Sequence, residues 1–207
     1  MKSKKITPFS VYKELLKKRV FLFTFGEFQM IFGVSPARTK YFLETYTRKG
    51  LFSRLRKGIY ALKNNSPTEE EIAGFLYRPS YLSFEYALAK HGIIPEMVYE
   101  VTSATTKPTR TFSLGDKNFT YLKIKKEAFA GYSLAKDGSR GNFIADPEKS
   151  LVDYLYFVSL GKKSLNERLN LNNLAKSKVV GYAKLYDRPG LLKIIDRLCF
   201  PKKQSKT

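Results

Sequence analysis

The sequence contains little cysteine, little histidine and few acidic residues. Among its 207 residues there is one cysteine, Cys199, and one histidine, His91. A single cysteine excludes an internal disulfide and favours a reducing compartment, and a single histidine excludes a metal site built from several imidazoles. The 18 acidic residues are outnumbered by 38 lysines and arginines, which gives a formal net charge of +20. Such an excess of positive charge favours a polyanionic partner.

Long hydrophobic runs are also missing. No stretch approaches the length that a helix needs to cross a bilayer. The N-terminal segment MKSKKITPF is basic, but the long apolar run of a signal peptide does not follow it. We therefore expect no membrane partner and a soluble, cytoplasmic protein.

The positive charge is segregated along the chain. Residues 1–65 carry 15 lysines and arginines against 3 acids, net +12. Residues 66–160 carry 11 against 12, net −1, and residues 161–207 carry 12 against 3, net +9. Two basic ends therefore flank a neutral middle, as expected for a protein that binds a polyanion through localised surfaces.

The segment FTFGEFQMIFGVSPARTKYFLETYTRKGLFSRLRKGIYAL contains the strongest local signals. Thr24 followed three residues later by Glu27 predicts a capping box at the start of a helix. Gly33 predicts the end of that helix, since glycine tolerates the left-handed conformation. Ser35 followed by Pro36 predicts the start of a second helix. The segment is therefore predicted to form a helix, a tight turn and a second helix.

A basic hairpin is predicted after the second helix. Leu51 to Leu62 has strand character on both sides of a turn at Arg56-Lys57-Gly58. The order helix, turn, helix and hairpin is typical of the winged helix-turn-helix, whose usual partner is duplex DNA.

The predicted fold class is α+β, with a winged helix-turn-helix followed by a mixed α/β domain that ends in a helical part. Asn64-Asn65-Ser66-Pro67 is the clearest linker and coincides with the change in charge. We therefore predict a DNA-binding domain over residues 1–65 and a second domain over residues 66–207. The predicted elements of the second domain include strands followed by a helix opened by Asp146. They also include a helical segment over 164–200, broken at Asp187-Arg188-Pro189-Gly190.

Candidate DNA-binding residues lie on the second helix and on the hairpin. The first turn of a recognition helix points into the major groove, where arginine pairs with guanine, while cations of a hairpin contact phosphates or the minor groove. The alternative is a solvated face of a protein-binding winged helix. The candidates are Ser35, Arg38, Thr39, Lys40, Arg48, Arg54, Arg56 and Lys57.

A second basic surface is a further candidate in the C-terminal part. Its cations could bind a second stretch of polyanion, or they could be the solvated faces of amphipathic helices. The residues concerned are Lys176, Lys178, Lys184, Arg188, Lys193 and Arg197.

One acid–lysine cluster bears on the question of catalysis. Asp146, Glu148, Lys149 and Asp153 superficially resemble the acid–lysine cluster of a nuclease. A helix start explains them more simply, with Asp146 as the cap and Glu148 complementing the helix dipole. We therefore predict no enzymatic activity, no cofactor and no metal, and a nuclease stays a third alternative.

Four stretches occur in a characteristic order: RKGLFSRLRKGIYAL, YLSFEYALAKHGIIPEMVYEVTSAT, RTFSLGDKNFTYLKI and IADPEKSLVDYLYF. In this order the chain resembles AbiEi-type antitoxins of the abortive-infection (type IV) toxin–antitoxin systems over most of residues 23–157. The resemblance implies a DNA-binding domain that represses its own operon at its operator. It also implies a C-terminal domain that counteracts a nucleotidyltransferase toxin without a stable complex. The alternatives are an interaction protein whose C-terminal domain binds a partner directly, and a stand-alone transcriptional regulator.

Overall fold

The computed structural model describes residues 6–65, 67–135 and 142–199. These residues fall into two compact units, one of described residues up to Leu76 and one from Tyr77 onward. The predicted domain boundary after residue 65 stays a prediction, and Ser66 of the predicted linker lies outside the described residues. The predicted α+β class is confirmed, since both units combine helices with a sheet.

The described residues of the first unit form four helices, of which α2 and α3 are joined by a tight turn, and a small antiparallel sheet. The sheet has the strand order β1-β3-β2, and the predicted hairpin is its β2–β3 pair, with a register shift between Arg54 and Arg56. Strand β1 was not predicted, since only three residues form it. The elements are α1 (Pro8–Lys17), β1 (Leu22–Thr24), α2 (Phe25–Phe32), α3 (Pro36–Arg48), β2 (Phe52–Arg56), β3 (Ile59–Leu62) and α4 (Glu69–Leu76).

Aromatic rings form the core of the first unit. Phe23 of β1 and Phe52 of β2 meet edge to face at a centroid distance of 5.4 Å. Phe28 of α2 lies 5.7 Å from Phe23 and 5.6 Å from Phe42 of α3. Each such pair contributes about 0.5–1.5 kcal/mol beyond the burial of its area. The same rings therefore fix α2 and α3 against the sheet.

The second unit is built on a six-stranded mixed sheet with the order β6-β7-β5-β4-β9-β8. The pairs β5–β7 and β4–β9 are parallel, and the other neighbours are antiparallel. Its elements are β4 (Ser80–Leu82), α5 (Phe84–Lys90), β5 (Val101–Thr105), β6 (Arg110–Leu114), β7 (Lys117–Lys123), β8 (Tyr132–Ala135), β9 (Asn142–Ala145), α6 (Pro147–Ser159), α7 (Lys176–Lys184) and α8 (Pro189–Cys199).

Helix α6 is the centre of the second core. Leu151, Val152 and Leu155 are fully buried, and α5, α7 and α8 all pack against this helix. Within the described ranges, no helix has the length and apolar character needed to span a membrane.

The predicted helical segment over 164–200 is only partly correct. Helices α7 and α8 lie within it, but residues 164–175 form turns and irregular loop, and residue 200 lies outside the described residues. The side-chain oxygen of Asn166 accepts the backbone N–H of Arg168 at 2.7 Å, and Asn170 accepts that of Asn172 at 3.3 Å. Such local bonds offer the backbone an alternative to the helix.

Candidate nucleic-acid interface

Three local signals determine where α2 and α3 begin and end. Thr24 and Glu27 form the predicted capping box, with the backbone N–H of Thr24 donating to Glu27 Oε2 at 2.7 Å. Gly33 ends α2 in the left-handed conformation at φ 62°. Ser35 then caps α3, and Pro36 occupies its first position. The predicted helix-turn-helix is therefore present, and two residues separate Gly33, which caps α2, from Pro36, which begins α3.

One side of α3 faces the aromatic core. Phe42 and Leu43 are buried, and the rings of Phe42 and Tyr46 lie 4.4 Å apart. Because successive residues turn by about 100° around a helix, the side opposite this core is determined by sequence spacing. That side, here called the outer stripe of α3, consists of Ala37, Tyr41, Glu44 and Arg48, all of which are exposed.

The predicted DNA-binding residues at the start of α3 differ in how far they are exposed to solvent. Lys40 is exposed beside the outer stripe, and Arg38 is partly exposed. Ser35 is exposed, and its Oγ accepts the backbone N–H of Arg38 at 3.4 Å, so its hydroxyl serves as the helix cap.

The prediction that Thr39 contacts DNA is wrong. Its side chain is fully buried, and its hydroxyl donates to the carbonyl of Ser35 at 3.0 Å. Thr39 lies on the same side of α3 as the buried Phe42 and Leu43, where a base cannot reach it. Distance from the helix start does not determine the exposure of a side chain, whereas the side of the helix on which it lies does.

The hairpin supplies exposed cations, one of which lies next to α3. Arg54 and Lys57 are exposed, and a cleft of about 320 Å³ between α3 and the hairpin is lined by Glu44, Thr47, Arg48, Arg54 and Tyr60. The hairpin itself is confirmed, while its contact with DNA as a wing stays a prediction.

Arg56 has a structural role that the sequence did not indicate. Its guanidinium donates to the carbonyl of Leu76 at 2.9 Å, at the end of α4. A cation is favourable there because the last carbonyls of a helix carry partial negative charge. Arg56 therefore ties the hairpin to α4, and it is a weaker candidate for DNA binding than Arg54 or Lys57.

The second basic region is not one continuous face. Lys176 and Lys178 are exposed on opposite sides of α7, because two residues are about 200° apart on a helix. Lys193 and Arg197 share the exposed side of α8 with Asp196. The exposed Lys184 ends α7.

Arg188, the sixth cation of this region, is held at the end of α6. Its guanidinium donates to the hydroxyl of Ser159 at 2.9 Å and to the carbonyl of the same residue at 2.8 Å. A role in polyanion binding therefore competes with this contact.

The acid–lysine cluster clamps the C-terminal helices onto α6. Asp146 Oδ2 accepts the hydroxyl of Tyr182 at 2.9 Å, and Glu148 Oε1 accepts the backbone N–H of Ala175 at 3.0 Å. The prediction that the side chain of Asp146 caps α6 is wrong, since no capping hydrogen bond is formed. Burial, followed by the hydrogen bond to Asp146, raises the pKa of Tyr182 to about 12.

The other half of the cluster is fully buried. Lys149 Nζ is paired with Asp153 Oδ1, and Asp153 Oδ2 accepts the hydroxyls of Tyr81 at 2.9 Å and Ser83 at 2.7 Å. Tyr186 also donates to Asp153. Burial lowers the pKa of Lys149, although the carboxylate opposes this shift. Burial raises the pKa of Tyr81 and Tyr186 well above the usual range, and the charge of Asp153 acts in the same direction.

His91 and Cys199, the remaining potentially reactive side chains, are held in contacts within the fold. His91 ends α5, and its Nε2 lies 2.8 Å from the carbonyl oxygen of Ala145. Burial raises the pKa of the Cys199 thiol, which disfavours the nucleophilic thiolate. Among the residues that the structure describes, no group of three or more histidine, cysteine, aspartate or glutamate side chains could hold a metal ion.

Comparison with known proteins finds a family match within the first unit. No curated protein sequence matches the chain. Residues 10–63 match the family model described as "Transcriptional regulator, AbiEi antitoxin". The match begins in α1 and ends just after β3, so it covers the helix-turn-helix and the hairpin. The resemblance inferred from the sequence is thereby confirmed over residues 10–63, which are similar to the AbiEi antitoxin family of transcriptional regulators.

Proposed function

We propose that the protein is a transcriptional repressor that binds its own operator and acts as the antitoxin of a type IV toxin–antitoxin system. The observation that carries the proposal is the match of residues 10–63 to a regulator and antitoxin family. These residues also contain α3, whose outer stripe faces solvent beside the exposed Lys40, and the hairpin with the exposed cations Arg54 and Lys57.

The arrangement of these cations supports binding of duplex DNA. A recognition helix enters the major groove, while lysines and arginines at its borders contact the phosphates. Lys40 and Arg48 border the exposed side of α3, and Arg54 lies across the cleft from it. The first unit therefore offers a helix for base contacts and flanking cations for phosphate contacts.

The family description supports extending the proposal to repression of its own operon and to relief of toxicity. A regulator that occupies its own promoter lowers the synthesis of both itself and its neighbour. The second unit is the candidate for counteracting a nucleotidyltransferase toxin, since it lies outside the family match and forms a separate compact unit. We propose that it does so without a stable complex.

A second candidate function is direct binding of a partner protein by the second unit. The loop before β5 exposes Met97 and Tyr99 by 79% and 71% of their surfaces. These side chains line a cleft together with Glu85, Glu96 and Glu100. Co-purification of the full chain with the product of the neighbouring gene would favour this candidate over the absence of a stable complex.

Salt-dependent DNA binding tests the first part of the proposal. The affinity of the full chain for the region upstream of its gene is measured against a random duplex at several salt concentrations. The replacement Lys57→Ala is expected to weaken binding to both duplexes equally. It is also expected to reduce the slope of log K against log salt by about 0.9, the value for one lost phosphate contact.

Two matched variants act as controls. Lys126→Ala removes an exposed cation of the second unit, and the slope should not change. Lys178→Ala tests the second basic region, and a reduced slope would place this region on the DNA. Equal affinity of the wild type for the upstream region and for random duplex would contradict a sequence-specific repressor.

Growth measurements test the antitoxin part. Expression of the neighbouring gene product alone is expected to arrest growth, and co-expression of the full chain to restore it. If the full chain binds the upstream DNA but does not restore growth, the protein is a stand-alone regulator.

A further inference from the structure

The centre of the outer stripe of α3 carries an aromatic ring. Tyr41 exposes 70% of its surface, and it lies between Ala37 one turn earlier and Glu44 one turn later. The buried Phe42 and Leu43 on the opposite side hold α3 in one rotational position. Because the buried Phe42 and Leu43 fix the rotation of α3 about its axis, Tyr41 points away from the core.

The first unit itself makes no evident use of this ring. Over the described parts of the chain, no hydrogen bond, ring contact or ion contact involves Tyr41. A single exposed aromatic residue is common on protein surfaces, so exposure alone is not the argument. The ring is distinguished by its position at the middle of the solvent-facing side of α3.

The charges around Tyr41 distinguish the centre of this face from its borders. Glu44 is exposed next to it, and a carboxylate is repelled by the phosphates of a duplex. Lys40 and Arg48, which attract phosphates, lie at the sides and at the end of the stripe. The centre of the stripe is thus suited to base edges, and its borders are suited to the backbone.

Ala37 adds a steric reason. Its methyl group is the smallest side chain of the outer stripe, so the N-terminal half of α3 can approach a groove floor closely. Tyr41, one turn further on, then reaches the same floor with a flat apolar surface. In the major groove the apolar feature of a base edge is the C5-methyl group of thymine.

On the basis of the proposed DNA binding, we propose that Tyr41 is a specificity-determining residue whose ring packs against the C5-methyl group of a thymine in the operator. Removal of one buried methyl group corresponds to about a fourfold loss of affinity. Tyr41 should therefore make binding depend on the methyl group at one defined thymine.

The experiment begins with the full chain and a random-sequence duplex library. The duplex that the wild type enriches is resynthesised with each thymine replaced in turn by uracil, which lacks only the methyl group. Affinities are measured for the wild type, Tyr41→Ala, Tyr41→Phe and Phe9→Ala. Phe9 is the matched control, an aromatic residue of α1 that is 75% exposed.

At one position, uracil should weaken the binding of the wild type, Tyr41→Phe and Phe9→Ala about fourfold. Tyr41→Ala should bind the thymine and uracil duplexes equally. Its thermal unfolding midpoint should equal that of the wild type, because the side chain is exposed.

Two failures have different meanings. If the wild type enriches no duplex, the proposed sequence-specific DNA binding is wrong, and the inference about Tyr41 is wrong with it. If a duplex is enriched but no thymine shows methyl dependence, only the role of Tyr41 is refuted. The same holds if Tyr41→Ala keeps the methyl dependence.

Discussion

The buried pair of Lys149 and Asp153 predicts an asymmetric response to mutation. Both side chains are fully buried on α6. Within the described residues, Asp153 accepts hydrogen bonds from Lys149 and from the hydroxyls of Tyr81, Ser83 and Tyr186. Lys149 donates to only two of these groups, Asp153 and the hydroxyl of Tyr186. Asp153 is thus the centre of the network, and Lys149 lies at its edge.

The replacement Asp153→Ala should be the more destabilising of the two changes. It leaves the ammonium of Lys149 buried without its counter-charge, which costs about 3–5 kcal/mol. It also removes the acceptor of three hydroxyls, and a buried group without a partner costs about 1–3 kcal/mol. Because burial already lowers the pKa of Lys149, the lysine can become neutral and recover part of this loss. We expect a net cost of about 4–6 kcal/mol in the free energy of unfolding.

The replacement Lys149→Met should cost about 2–3 kcal/mol. The carboxylate of Asp153 keeps its three hydroxyl donors, and methionine fills a similar volume among the rings of Tyr81 and Tyr186. The double variant should be more stable than Asp153→Ala alone, since it contains no unpaired charge.

Urea unfolding at neutral pH, followed by circular dichroism, measures these differences. Tyrosine fluorescence provides a second probe, because the chain has 14 tyrosines and no tryptophan. The reasoning is refuted if Lys149→Met costs as much as Asp153→Ala, or if the double variant is the least stable of the three.

Two further predictions concern single side chains. Thr39→Val should leave the ratio of specific to random DNA affinity unchanged and should cost at most about 1.5 kcal/mol of stability for its one hydrogen bond; a lost preference with unchanged unfolding would contradict its burial. Tyr182 has its pKa raised to about 12 by burial and by Asp146, so its contribution to stability is present below its unfolded value of about 10. That contribution is lost as the pH rises through about 12. Tyr182→Phe should therefore lose less stability than the wild type across this alkaline range in urea titrations, and an identical loss would refute the link.

Local signals in the sequence were sufficient for the helix-turn-helix. The capping box at Thr24, the left-handed Gly33 and the Ser35-Pro36 start each act over a few residues, so the chain around them decides the outcome. The hairpin around Gly58, whose φ is 81°, is equally local. These elements therefore form where the sequence predicts them.

The strands β4 and β9 could not be predicted in the same way. Each has only three or four residues, and Leu82 of β4 pairs with Ile144 of β9 far along the chain. A short strand exists because of its partners, and its own sequence carries little periodicity. The strand order of the six-stranded sheet depends on β4 and β9, so this order could not be predicted from the sequence.

The composition of the candidate site was predicted less well than its location. The choice of Thr39 followed from counting residues from the helix start, while Tyr41 and Glu44 were overlooked. The signal that could have found them was present, since the core positions Phe42 and Leu43 define the opposite side of α3 by spacing alone. Helical periodicity is therefore a better guide to the solvent-facing side chains of a helix than distance from the helix start.

The net charge of the chain overestimates the number of cations that are available to contact a duplex. Two cations of the predicted sets, Arg56 and Arg188, are bound to carbonyls at the C-terminal ends of α4 and α6. In that position they offset the negative end of a helix dipole. The clearly exposed cations among the predicted residues of α3 and the hairpin are fewer, namely Lys40, Arg48, Arg54 and Lys57. Four phosphate contacts give a salt slope of about −3.6 per bound chain. A much steeper slope would require additional cations, and the exposed lysines of the second unit would then be the source.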